Sequence, residues 1–169
     1  AMAQDLDGAT LRVIDSHAAF AVDGLEIQPF PVPHDAREPV QFVFGDGARR
    51  LGVLTDLGCV TPHVEAMLAG VDALVLECNH DAAMLENGPY PASLKRRVGG
   101  RFGHLENGQA AALLDTLKHD RLQCVMAAHV SKKNNTSALA QGALAGALGC
   151  NADEVRVACQ TTGFDWIRL

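Results

Sequence analysis

The sequence predicts an α/β fold, on three observations. The first third is a series of strand-length apolar runs broken by turn dipeptides, the middle holds two short unbroken apolar runs, and helix-patterned stretches lie between and after those runs. Residues 9 to 14 (Ala-Thr-Leu-Arg-Val-Ile), 18 to 22 and 25 to 32 cluster or alternate apolar side chains at strand length, with Asp23-Gly24 as a hairpin-type turn. Gln41 to Phe44 and Arg50 to Leu54 continue as strands joined through Gly45-Asp46-Gly47. Thr61 is placed to cap a helix with Pro62 at its first position, Glu65 in its first turn and Gly70 as its stop. Ala73-Leu74-Val75-Leu76 then reads as a buried strand ending at Glu77. Helices are expected near His80 to Leu85, from Ala92 to Val98 and from Gly108 to Lys118, where Ala111, Leu113, Leu114 and Leu117 fall on helical spacing. Gln123 to Ala128 is the second buried strand and leads into His129. The Ala- and Leu-rich run from Thr136 to Leu148 stops at Gly149, and Glu154 to Ala158 and Trp166 to Leu169 close the chain as strands.

With 169 residues, 48% of them hydrophobic, the chain has enough apolar mass for a core and is read as one domain over residues 1 to 169. A net charge of -6 argues against coating nucleic acid non-specifically, because that mode needs Lys and Arg to neutralise phosphates. Any such contact must be local. Lys95, Arg96, Arg97 and Arg101, with Lys132 and Lys133, are the basic clusters, and they suit a solvated helix surface equally well. Five cysteines without a CxxC pair, mostly inside apolar runs, point to a reduced, cytoplasmic setting. No apolar run approaches the roughly 20 residues that span a bilayer, and the start lacks a charged segment followed by an apolar one, so neither a membrane partner nor secretion is expected.

In α/β layers, functional groups collect beyond the C-terminal ends of strands. Four predicted strand ends carry suitable residues: Pro33-His34-Asp35, Thr55-Asp56-Leu57-Gly58, Glu77-Cys78-Asn79-His80-Asp81 and His129-Val130-Ser131, with Gly103-His104 in a loop before a helix. Imidazole and carboxylate are the usual ligands of hydrolytic Zn or Mn centres. A bridging carboxylate can hold two ions about 3.5 to 4 Å apart. Taken singly, a His beside proline is more often a hydrogen-bonded loop residue, and an Asp before Leu-Gly a turn former. Their order and shared strand-end placement make the stronger signal.

The run Leu-Gly-Val-Leu-Thr-Asp56-Leu-Gly, then Leu-Val-Leu-Glu77-Cys-Asn-His80-Asp81, Pro91-Ala-Ser-Leu-Lys95-Arg96-Arg97, Gly103-His104-Leu, and His129-Val-Ser131 with Asn134-Asn135 resembles the WalJ (YycJ-like) branch of the metallo-β-lactamase superfamily. The resemblance runs in order from His34 to Asn135. It implies the C-terminal half of a four-layer αββα sandwich, with His34 on a first metal, Asp56 bridging two metals and His129 on the second. The sequence is also similar to the tRNA 3'-processing endonuclease and phosphodiesterase branches. There, a Glu and a His in the places of Glu77 and His104 act together, the Glu orienting the His that protonates the leaving oxygen. That pairing suits phosphodiester cleavage, whose departing alkoxide needs a proton. His80, Asp81, Ser131, Asn134 and Asn135 are candidate substrate contacts. His80 and Asp81 suit a helix N-terminus equally well, and the other three precede a helix and suit capping it as well as binding a phosphate at its free amides.

The family's His-x-His-x-Asp-His segment is absent: the seven histidines lie at 17, 34, 63, 80, 104, 119 and 129. The expectation is a partial domain lacking its N-terminal half. An exposed sheet edge and face would then remain, with self-association or pairing with the missing half as the partner expectation. The resemblance implies a two-metal phosphodiesterase or nuclease, with a 5'-end exonuclease among the activities implied, acting on nucleic acid or a small phosphodiester. This chain alone would bind its two Zn or Mn ions weakly and be nearly inactive. Two alternatives stand beside it: hydrolysis of a small phosphodiester, thioester or lactone, and a metal-free association module.

Overall fold

Among the described residues, seven strands form one sheet whose spatial order is their order in the chain. The computed structural model describes residues 12–169. The strands are β1 (Phe20–Val22), β2 (Leu25–Pro31), β3 (Val40–Gly45), β4 (Arg50–Leu54), β5 (Ala73–Glu77), β6 (Cys124–Ala128) and β7 (Arg156–Val157). From β1 to β4 neighbours are antiparallel, as tight turns dictate; from β4 to β7 they are parallel, as helical crossovers dictate. The crossovers carry α1 (Pro62–Leu68) after β4, then α2 (Ala82–Asn87), α3 (Ala92–Val98) and α4 (Asn107–Leu117) after β5, and α5 (Ser137–Leu148) after β6. This is the α/β arrangement expected from the sequence.

Helices α1, α4 and α5 pack on one face of the sheet. Leu54, Leu74, Leu76, Val125 and Ala127 of the strands pack with Val64 and Leu68 of α1, Leu113 and Leu114 of α4 and Leu144 of α5 in a single core. Alternation along each strand turns Leu51, Val53, Val75 and Met126 to the opposite face, where cross-strand register places Phe42 beside Val53 and Phe44 beside Leu51. Residues Phe164 to Leu169 lie against part of that second face, lining a cavity of about 550 Å³ with Leu51, Val75 and Met126.

Caps account for most helix boundaries. Thr61 accepts from the Val64 amide at the start of α1, and Thr136 from the Leu139 amide at the start of α5, which ends on Gly149 in the left-handed region. At the low end of the parallel strands, buried Asp72 accepts from the Arg50 amide at 2.8 Å through its side chain and from the Gln123 amide at 2.7 Å through its carbonyl. One residue thereby sets where β4, β5 and β6 begin.

Several expected boundaries move. The strand at 9 to 14 lies partly outside the described residues, and Arg12 to Ile14 form no strand. The helix expected from His80 begins at Ala82, because Asp81 caps it and the His80 carbonyl is taken by the Asn107 amide. The last strands shrink most: Glu154 belongs to a 3-10 turn in which its carboxylate accepts from the Asn151 amide, leaving only Arg156–Val157 paired. Trp166 to Leu169 is no strand at all. Its residues pair with no strand, and they lie on a sheet face with Trp166 itself fully exposed.

Candidate metal centre

β2, β4, β5 and β6 all run in the same direction, since two antiparallel steps separate β2 from β4 and parallel steps follow. Their C-terminal ends therefore open on one edge of the sheet, and that edge collects His34, Asp56, Glu77 and His129, with His104 arriving from the loop before α4. The loops meet through close backbone approach. The Gly58 amide donates to the Pro33 carbonyl at 2.8 Å, the Asp35 amide to the Phe102 carbonyl at 2.9 Å, and the His104 amide to the Val98 carbonyl at 2.8 Å. Only glycine fits at two of these crossings. A Cβ on Gly58 would lie 2.3 Å from the Arg101 carbonyl oxygen, and one on Gly103 would lie 2.1 Å from that of Val98. Gly103→Ala is accordingly expected to cost at least the 1–3 kcal/mol typical of overpacking, roughly, in a urea melt. It should also shift His34, whose ring is anchored on the Gly103 carbonyl.

The tautomers follow from the partners. His34 Nδ1 lies 2.9 Å from the Gly103 carbonyl oxygen, which can only accept, so Nδ1 carries the proton and Nε2 keeps a free lone pair. Glu77 does the same for two rings at once: its Oε1 lies 2.8 Å from His104 Nδ1 and 2.7 Å from His129 Nδ1. Its Oε2 accepts from the Leu57 amide at 2.9 Å and the Leu105 amide at 3.3 Å. Glu77 is fully buried. Burial pushes its carboxyl pKa up, but the His104 and His129 imidazoles and the Leu57 amide outweigh that and hold it down at about 2. The same hydrogen bond raises the His129 pKa against the opposing effect of burial. Next along, burial pushes the Cys78 thiol to about 12, which makes it an inert core residue.

Asp56 is the half-exposed acid facing the imidazoles. Its Oδ1 is 3.6 Å from His34 Nε2, 3.9 Å from His104 Nδ1 and 3.8 Å from His129 Nδ1. The three rings form a row, with His104 in the middle and its centroid 5.1 Å from each of the others. Both Asp56 and His129 have φ of 54°, the left-handed region that costs a non-glycine residue about 1–3 kcal/mol and clusters at functional sites. Surrounding bonds hold them there: Thr55 Oγ1 donates to Asp56, and Asn79 Nδ2 donates to the His129 carbonyl.

Ligand atoms of Asp56, Glu77, His104 and His129 all lie within 4.8 Å of one another. Of these, Glu77 is the least suited to touch an ion, because both its oxygens already accept N–H bonds and neither reaches solvent. Its chemistry is to orient rings, the part a carboxylate plays behind metal-binding histidines. The donor set of His34 and His129 Nε2 with the Asp56 carboxylate, nitrogen and oxygen, suits a divalent metal ion.

The sequence-derived substrate contacts divide. Asp81 accepts from the Met84 amide as the cap of α2, and Asn135 is buried, donating to the Cys78 carbonyl and exchanging bonds with Asn107. Asp81 and Asn135 are thus committed to the fold. His80 is buried, its pKa lowered by that burial, and its Nδ1 has no hydrogen-bond partner among the described residues. Ser131 and Asn134, by contrast, line a cavity against His104 and His129. Two features go beyond the sequence reading, which placed Asp35 at a strand end without giving it a role. Asp35, hydrogen-bonded to Arg97, places an oxygen 3.5 Å from His34 Nε2, and its position beside His34 in sequence was the available hint. The double use of Glu77 carried no sequence signal.

Residues 1–125 match a family model described as a beta-lactamase superfamily domain. Over 117 residues the chain is 38% identical to the exodeoxyribonuclease YycJ of Bacillus anthracis, covering 69% of this chain and 44% of that protein. Over 135 residues it is 31% identical to the exodeoxyribonuclease WalJ of Streptococcus pneumoniae serotype 2, covering 80% of this chain and 50% of that protein. The chain thus spans about half the length of the curated relatives it matches. Its fold is also that of the metallo-beta-lactamase fold protein YhfI from Bacillus subtilis, with a TM-score of 0.67 at 14% identity, covering 92% of this chain and 54% of that one.

Proposed function

The chain belongs to the beta-lactamase superfamily, and on that premise we propose that its strand-end cluster is part of a two-metal phosphodiesterase centre acting on DNA ends. The observation that carries the proposal is the Glu77 carboxylate fixing both His104 and His129 by Nδ1 within 4 Å of Asp56. Such a set serves two different tasks from one anchor. His34 and His129 would hold one divalent ion each through Nε2, and Asp56 would lie between them. Ions bound there would supply Lewis acidity toward a phosphoryl oxygen and a water of lowered pKa.

The remaining work falls to the protein. Glu77 keeps the proton of His104 on Nδ1 and so fixes the ring with Nε2 as the atom that gives a proton to the departing oxygen. Asp35 and Arg97 flank the site beside His34, where the guanidinium pairs with the carboxylate and holds the Asp35 pKa below its ordinary value. The names of the two bacterial relatives, both exodeoxyribonucleases, support DNA as the substrate class.

This chain supplies one imidazole for each ion and one shared carboxylate, so it should bind Zn or Mn weakly and turn over little DNA by itself. Isothermal titration checks this. Weak binding that Asp56→Ala abolishes is the expected outcome; tight two-site binding by the chain alone would show its ligand set to be complete.

A further inference from the structure

Against His104 and His129 lies a cavity of about 160 Å³ whose wall includes Tyr90, Val98, Ser131, Asn134 and Gln160. Resting on the phosphodiester reading above, we infer that this cavity is a nucleobase subsite, with Tyr90 as the stacking surface and Asn134 as the hydrogen-bonding group. Its size decides between a base and a whole nucleotide. Pockets for drug-sized ligands run to about 300–1,000 Å³, so a 160 Å³ cavity holds one planar ring system and leaves sugar and phosphate outside, toward the imidazoles. Its chemistry decides between a base and a phosphate. No Lys or Arg side chain lines it; the wall offers an aromatic ring, an aliphatic side chain, a hydroxyl and neutral amides. Neutral amides complement the donor and acceptor edge of a base, and an aromatic face takes any base by stacking.

Asn134 is the residue that asks for a ligand. Its backbone is fully committed, the amide donating to Ser131 Oγ at 3.2 Å and the carbonyl accepting from the Asp81 amide at 2.9 Å. Its side chain is 1% exposed, yet its Oδ1 has no hydrogen-bond partner among the described residues. Neighbouring amides behave differently: Asn135 bonds to Cys78 and Asn107, Asn79 to the His129 carbonyl, and Gln160 to the Val130 carbonyl. A buried amide left without partners in a wall otherwise satisfied is the mark of a group held for something else. Tyr90 stands across the same cavity, half-buried in the loop between α2 and α3, with Lys133 Nζ 5.9 Å from its ring centroid.

Tyr90 is the single tyrosine of the chain, so a ring-labelled tyrosine gives one NMR reporter at the proposed site. The metal-free chain is titrated with deoxyadenosine 5'-monophosphate, with 2-deoxyribose 5-phosphate and with inorganic phosphate. The expected result is a saturable shift of the Tyr90 ring signals with the nucleotide only. Asn134→Ala should weaken that response about tenfold. The isosteric Asn134→Asp, read alongside, guards against a folding defect, which would already alter the ligand-free Tyr90 signal. An unmoved Tyr90, an equal shift with the base-free sugar phosphate, or wild-type affinity in both variants overturns the inference. The readout needs no metal, so an inert Tyr90 beside intact metal binding sinks the subsite alone. A responsive Tyr90 in a chain that binds no metal sinks the phosphodiester reading alone.

Discussion

Glu77→Gln is expected to remove about 3–5 kcal/mol of stability, the cost of breaking a buried charged network from one side. The substitution preserves volume, so packing is not the issue. At neutral pH the carboxylate accepts four N–H bonds, two from His104 and His129 and two from the Leu57 and Leu105 amides. An amide offers one oxygen and one NH2 group. With its oxygen toward the rings, the amide sets NH2 against the Leu57 and Leu105 amides, and these buried donors lose their acceptor at about 1–3 kcal/mol each; turned the other way, NH2 can bond His104 and His129 only if both rings move their proton to Nε2, which removes the lone pairs an ion needs. For a chain of this size that corresponds to a melting temperature lower by about 10 °C. The pH dependence has a definite sign. Glu77 is depressed from 4.5 to about 2, so its contribution, on the order of 3 kcal/mol, is complete above its unfolded value and disappears as pH falls through the folded one. His129 is raised, so its share is complete below its ordinary value and is lost as pH rises through the folded one. Denaturant melts of wild type and variant should therefore differ most from about pH 5 to the neutral range and converge toward pH 2. A gap that stays constant down to pH 2 would place the effect elsewhere than in the Glu77 charge. Metal affinity should fall in parallel by about 10- to 100-fold, the usual effect of removing the group that orients a ligand.

What could be read from the sequence follows the range of the forces involved. Local signals were legible: Thr61 with Pro62, Thr136, Gly149 and the apolar runs of β5 and β6 declare themselves within a few residues. The gathering of His34, Asp56, Glu77, His104 and His129 was legible because strand direction alone carries four of them to one edge. The carboxyl terminus was not. The apolar pattern of Trp166 to Leu169 matches a strand, but a strand requires a partner edge, which is a property of the assembled sheet. The commitments of single side chains were equally hidden. Asn134 and Asn135 are adjacent and chemically identical, yet one is tied into Cys78 and Asn107 while the other is left without a partner. Nothing in the sequence distinguishes them, because the difference lies in where α2 and α4 place their neighbours.

His104→Ala is expected to slow hydrolysis of a phosphodiester with an alkoxide leaving group by about 10²–10⁴-fold, the usual contribution of a positioned acid. The geometry separates this residue from its neighbours in the row. All three imidazoles have Nδ1 anchored and Nε2 free, but His104 lies between the other two, 22% exposed, and borders the cavity on which Tyr90 and Asn134 face. A proton leaving Nε2 of that ring is placed for the oxygen departing toward the cavity. If this is its task, the loss depends on the leaving group: a 4-nitrophenyl ester, whose phenolate departs without help, should be slowed less than about tenfold. Because the His104, Asp56 and His129 ligand atoms also lie close enough to share an ion, metal binding must be measured on the same variant. Unchanged affinity with a leaving-group-dependent rate assigns His104 to proton transfer. Lost affinity with equal slowing of both substrates assigns it to the metal, and Glu77 would then be the support of two ligands rather than of a ligand and an acid.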